Sequence, residues 1–247
     1  MFAIFKKEIS GFFSSLTGYI VIILFLLINS LFMWVLPGEW NILDSRYAGL
    51  GTIFSLSPWI FLFLVPAITM RMIAEEKRLG TIELIYSRPI TERAVVYGKF
   101  LSSVTLVLMA LLPCLVYYLS VYYLGETPGN LDKGGTFGAF LGLFFLAAIY
   151  SSAGIFSSSL TDNQAIAFLI SVLICSILFA GFDFFAYLPG LKKLNELVIR
   201  LGINEHYKSM SRGVIDIKDI TYFIVFVVIF NEATRLTLLS RKWKKRK

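Results

Sequence analysis

Residues able to make or break bonds are scarce in this 247-residue chain. Histidine occurs once, at His206, and cysteine twice, at Cys114 and Cys175, with no second thiol or paired carboxylate at ligand spacing. A tetrahedral metal site draws on about four such groups, so no metal centre is expected. No Gly-x-x-x-x-Gly-Lys-Ser/Thr loop occurs either, so the chain does not cradle and hydrolyse a nucleotide by that route. Any ATP-driven motor must then be another polypeptide. What remains is charge at two places. One is Arg71-Met-Ile-Ala-Glu-Glu-Lys-Arg-Leu-Gly-Thr-Ile-Glu-Leu-Ile-Tyr-Ser-Arg-Pro89, which sets Glu75, Glu76 and Glu83 around a glycine break. The other is Glu232 with Arg235, three apart and so on one face of a helix. Ion pairing and mechanical contact are the chemistry such groups can do, not catalysis.

The elements that must position these groups are helices in lipid. With 57% hydrophobic and 16% charged residues and a mean hydropathy of +0.76, the chain has too little polar surface to cover a soluble core. A hydrocarbon layer of about 30 Å needs about 20 apolar residues. Six stretches meet that length: 17–36, 52–73, 100–124, 136–156, 165–188 and 220–239. They are continuous rather than alternating, which selects helices over a β-barrel. Pro113 in the third and Gly181 in the fifth are positions where a helix could break. Gly134, Gly138 and Gly142 recur every four residues at the start of the fourth, the close-approach pattern of packed membrane helices, within one subunit or between two.

Ahead of the first stretch, Phe2, Phe5, Ile9, Phe12, Phe13 and Leu16 share one helical face. Two readings stand: an interfacial elbow helix over residues 1–16, or an extension of the first span. The first stretch is too long, and lacks the small-residue pattern, for a cleavable signal. With the N-terminus inside, Lys6, Lys7, Arg71, Lys77, Arg78, Arg88, Arg93, Lys99, Arg235 and the tail Arg241-Lys-Trp-Lys-Lys-Arg-Lys247 fall on one side, the majority of the 23 lysines and arginines. The positive-inside rule therefore places both termini in the cytoplasm. The tail is read as neutralising anionic lipid heads, with no nucleic-acid role needed.

Two connections are long, residues 74–98 inside and 189–219 outside. In the outer one, Leu191, Leu194, Leu197, Val198 and Leu201 form an apolar stripe of a surface helix. In the inner one, Gly80 ends the helix that continues the second span, and Thr81 can cap a short helix through Ile82, Glu83, Leu84 and Ile85. Arg88-Pro89 ends that helix, and Thr91-Glu92 starts the next. From the residues alone this is either a two-helix knuckle or a solvated loop. Glu232 and Arg235 likewise read either as a structural pair near the inner interface or as a substrate contact.

The run from Glu75 to Ile90 resembles the signature of ABC-2 (export-type) ABC transporter permeases. Gly154-Ile-Phe-Ser-Ser-Ser-Leu-Thr-Asp-Asn-Gln-Ala-Ile-Ala167 resembles that family's turn between the fourth and fifth spans, and residues 206–223 its approach to the last. Within the family the likeness is to gliding-motility-associated permease subunits, with a near relative in nitrous-oxide-reductase maturation. The run Phe230-Asn-Glu-Ala-Thr-Arg235 departs from the pattern, where mostly apolar residues are expected. The resemblance implies an all-α polytopic membrane protein with six transmembrane helices, an N-terminal elbow and a cytoplasmic coupling-helix segment, as a single domain over 1–247. It implies a non-catalytic permease of a bacterial inner membrane, without a cofactor of its own, because a partner ABC ATPase uses the ATP. Glu75, Glu76, Gly80, Thr81, Ile82, Glu83, Leu84 and Pro89 would then be the ATPase-coupling residues. Further partners implied are a second permease or a companion membrane protein with an extracytoplasmic part. The rival readings are an ATP-independent carrier and a scaffold of a motility or secretion machine.

Overall fold

The computed structural model describes residues 1–45, 47–86, 90–125, 131–186 and 195–244. The chain is an all-α, multi-pass membrane protein in which six helical segments are long and apolar enough to cross a bilayer. Helix α1 (Phe2–Phe13) turns sharply at Ser14 and Ser15 into α2 (Leu16–Ser30), which ends in a π-helical turn over Leu31–Val35. The corner is tight because Gly18 lies directly beneath the Phe12 carbonyl and ring, where a Cβ would overlap both. Residues 2–13 are thus a separate helix, not an extension of the first span, which begins at Leu16.

A short α3 (Ile42–Ser45) precedes α4 (Gly51–Arg78), followed by α5 (Ile82–Tyr86), α6 (Glu92–Leu111) and α7 (Cys114–Leu124). The third span, Glu92–Leu124, breaks at Pro113, which has no N–H to continue the ladder. Next come α8 (Lys133–Leu160) and α9 (Gln164–Ser176), whose ladder widens to a π turn over Ile177–Gly181 before α10 (Phe182–Ala186). Last are α11 (Asn195–Arg200), α12 (Ile203–Ser211) and α13 (Ile217–Lys244). Local signals set several starts: Thr91, Asp132 and Asn163 each accept a backbone N–H in the first turn of α6, α8 and α9. The second, third and fourth helices run four to eight residues beyond the expected spans at one or both ends, because polar and charged residues continue a helix once it leaves hydrocarbon.

Helix α8 is the axis of the bundle and packs against α4, α6, α9, α12 and α13. Its Tyr150, Leu146 and Ile149 are fully buried. The repeated glycines serve this chain's own packing: a Cβ on Gly138 would meet the Met210 carbonyl at 2.5 Å, and one on Gly142 would press on Tyr207. Gly154 sits at the crossing with α4, where a Cβ would collide with Thr69 Oγ1.

At the α12 end, Pro58 leaves the Phe54 carbonyl without its helical donor, and the Tyr207 hydroxyl donates to it at 2.6 Å. Burial pushes the Tyr207 phenol up, so it stays a donor. The outer apolar stripe differs from expectation. Helix α11 ends at Arg200, Gly202 restarts the chain as α12 with a new phase, and Leu201 is 53% exposed. The buried residues are instead Ile203, Tyr207 and Met210, with Val198 half-buried. Leu191 and Leu194, and the side chain of Leu197, lie outside the described residues.

Candidate functional site

The charged segment folds at the opposite end of the bundle, where α4 outruns the length a bilayer needs. Its last turn carries Lys77 and Arg78, cations suited to the negative end of the helix dipole. Gly80 takes φ +70, the left-handed conformation that glycine adopts without strain, and its N–H donates to the Lys77 carbonyl at 3.2 Å. The Thr81 hydroxyl turns back to the Glu76 carbonyl at 3.4 Å. Glu83 N–H and Leu84 N–H then bond Gly80 and Thr81 carbonyls, which opens α5. The result is a bent knuckle. Ile82 tucks inward at 8% exposure, while Leu79 and Leu84 project at 62% and 68%, with Glu83 exposed beside them. Pro89, expected to end α5, lies outside the described residues.

The base of the knuckle is held by charges the linear reading did not connect. Lys99 of α6 is fully buried, and its ammonium reaches three acceptors: Glu8 at 2.6 Å, Glu76 at 2.9 Å and the Met72 carbonyl at 2.6 Å. It donates hydrogen bonds to Glu8 and to the Met72 carbonyl, and faces Glu76 Oε2 as an ion pair. Lys7 completes the group with a 2.6 Å contact to Glu76. Two lysines and two carboxylates give a neutral cluster joining α1, α4 and α6. Burial lowers the Lys7 pKa, but the Glu76 hydrogen bond and the nearby charges of Glu76 and Glu8 outweigh that, leaving it raised. Glu76 is therefore a clamp, 7% exposed, not a group offered to a partner. Glu75 is the carboxylate that keeps contact with solvent, with Arg78 at 3.8 Å.

A second clamp comes from α8. Ser158 Oγ accepts the Ile73 and Ala74 N–H groups at 3.0 and 2.9 Å and donates to the Met70 carbonyl at 2.9 Å. Lys77 donates to the Ser159 carbonyl and lies 4.0 Å from Asp162, in the turn that leads to α9. The α4 helix is thus gripped on two sides just before it bends.

Glu232 and Arg235 do pair, at 2.7 Å, and Arg93 at the start of α6 approaches Glu232 at 3.6 Å. Their side chains keep about a third of their exposure, 34% for Glu232 and 30% for Arg235, and they tie α13 to α6 at the same end as the knuckle. Beside them Asn231 is 1% exposed, with neither amide atom hydrogen-bonded among the described residues.

Linear reading missed Lys99, Glu8, Lys7 and Ser158. A signal for Lys99 does exist: Val95, Lys99, Ser102 and Leu106 recur at helical spacing and are all buried, so a lone lysine stands in a core stripe. Nothing in the sequence names its partners.

A family model described as ABC-2 family transporter protein matches residues 44–238 of the chain. No curated protein matches it.

Proposed function

Since the chain belongs to the ABC-2 family of transporter proteins, as the membrane-spanning permease subunit of an ABC transporter, we propose that residues 75–86 are the contact on which its ATPase pushes. The observation that carries this is a projecting tip on a locked base. Leu79, Glu83 and Leu84 stand out from the bundle, whereas α4 below them is fixed to α1 and α6 through Lys99 and to α8 through Ser158. A push on the tip then displaces α4 with its neighbours instead of bending a loop. In this reading Glu75 and Glu83 meet basic or amide groups of the ATPase, Leu84 and Leu79 fill an apolar notch, and Gly80 permits the bend. Thr81 and Ile82 fasten the knuckle to the bundle.

The same reading places the α5 end and both termini in the cytoplasm of a bacterial inner membrane, with the basic tail against anionic lipid heads. ATP is bound and hydrolysed by the partner, two six-helix halves alternate access, and the second half is another permease chain. The finer assignment is a gliding-motility-associated system with a companion protein bearing an extracytoplasmic part, and it rests on the motif resemblance alone.

The test uses the full chain with its ATPase: pull-down recovery and hydrolysis in proteoliposomes for wild type, Glu83→Lys and Gly80→Pro. Both substitutions lie outside the hydrocarbon, so insertion is unchanged. Reduced association or uncoupled hydrolysis is the expected result, because a like-charge contact in a desolvated groove costs several kcal/mol. Full association and full transport in both variants would reduce the knuckle to a solvated loop.

A further inference from the structure

The chain's single histidine, His206 on α12, has an acceptor at each ring nitrogen. Nδ1 lies 2.7 Å from Oδ1 of Asp219, in the first turn of α13, and Nε2 lies 2.9 Å from the carbonyl of Arg200, the last residue of α11. Neither a carboxylate nor a carbonyl can donate, and a neutral imidazole has one N–H and one lone pair. Filling both contacts therefore takes one proton more than a neutral ring facing a carboxylate holds. Imidazole is the stronger base of the two, so that proton belongs on the ring, which becomes an imidazolium. The ring stacks on Tyr222 with centroids 3.9 Å apart, a face that suits a cation.

This pair fastens a junction. The carbonyls at the end of α11 have no helical donor; His206 takes that of Arg200, and the Tyr222 hydroxyl takes that of Leu201 at 2.5 Å. Tyr207, next to His206 in the chain, holds the Phe54 carbonyl of α4, so the junction bears on the helix whose other end carries the knuckle. Of the other charged groups on α12 and the elements packed against it, none bonds the ring among the described residues. Arg200, Lys208, Asp216 and Lys218 are exposed, Glu205 is half-buried, and Asp183 is held by Asn204 at 2.5 Å. At the head of α8, Lys133 is exposed and Asp132 accepts the Gly135 N–H.

We propose that His206 and Asp219 are a proton-operated latch between α11 and α13. With two protons on the ring, both contacts are made. When the ring gives one proton to solvent, the remaining N–H stays on the Asp219 carboxylate, because a hydrogen bond to an ionised acceptor is about twice as strong as a neutral one. The Arg200 carbonyl then loses its donor, and the end of α11 is released. Only the compartment whose pH is sensed rests on the orientation proposed above.

The experiment uses the full-length protein in detergent between about pH 5 and about pH 9, the range in which histidine titrates. Labelling with nitrogen-15 histidine gives the ring signals of His206 alone, and hydrogen-exchange mass spectrometry of peptides covering residues 198–206 reads the latch. Exchange, corrected for the intrinsic pH dependence of amide exchange, should quicken about tenfold as the ring loses its second proton, the worth of one charge-assisted hydrogen bond. In Asp219→Asn the side-chain amide can donate to Nδ1, so a neutral ring fills both contacts and exchange should stay slow across the range. His206→Phe keeps the stack on Tyr222 but neither bond, and should exchange fast throughout. A ring whose proton count does not change over the range overturns the latch. So does wild-type exchange that ignores the change, or an Asp219→Asn protein that follows the wild-type profile.

Discussion

Replacing Lys99 with methionine, which fits the space but carries no charge, tests the clamp at the base of the knuckle. In the wild type two lysines face two carboxylates. After Lys99→Met, Glu76 at 9% and Glu8 at 15% side-chain exposure share Lys7 alone, which is itself 60% exposed and 4.0 Å from Glu8. One carboxylate is left buried without a partner. Stranding a buried charge in this way costs about 3–5 kcal/mol, and the residual exposure of Glu8 places this case at the low end, about 3 kcal/mol. The Met72 carbonyl also loses its donor, although the α4 ladder can still satisfy it. The double variant Lys99→Met with Glu8→Gln removes the excess charge and leaves the 2.6 Å Lys7–Glu76 pair intact. It should recover about 1–2 kcal/mol, within the range seen for side chains in direct contact. Thermal and denaturant unfolding in one detergent, followed by near-ultraviolet dichroism, measures both variants against wild type. A Lys99→Met protein within about 0.5 kcal/mol of wild type would refute the argument, as would a double variant weaker than the single one by the full cost of Glu8→Gln.

Tyr207→Phe deletes the hydroxyl that donates to the Phe54 carbonyl freed by Pro58, and should cost about 1–3 kcal/mol in the same unfolding assay. Glu232→Gln should be mild, about 1 kcal/mol or less, because both partners of Glu232 are substantially solvated; a large fall in protein abundance would show that water does not reach the pair. Lys7 gains stability from Glu76 through a raised folded-state pKa, so that gain is full below about pH 10.4 and fades as pH rises through the folded-state value. The alkaline limb of the stability profile should therefore be shallower in Lys7→Gln, and coincident limbs would remove Lys7 from the cluster. Single cysteines at Lys133 and Lys208, in a background without Cys114 and Cys175, should react with an impermeant thiol reagent in spheroplasts, and protection of both would invert the orientation.

The six spans were legible from composition because a chain this apolar has one way to satisfy its backbone in lipid, and helix length follows from bilayer thickness. Local chemistry likewise announced itself: Gly80 at the end of α4, Thr91 before α6, the break at Pro113, and Glu232 facing Arg235 across one turn. Each of these depends on residues within about four positions of one another. Contacts between helices depend instead on rotational phase and depth, which a linear pattern does not carry. The charged run showed three carboxylates alike, and only packing separated them: Glu76 turns in to Lys7 and Lys99, Glu83 turns out, and Glu75 stays between. The same holds for Ser158 on the α4 backbone and for Tyr207 on the carbonyl that Pro58 released. Those partners lie from tens of residues to 153 residues away, and a rotation of one helix by a third of a turn would exchange them.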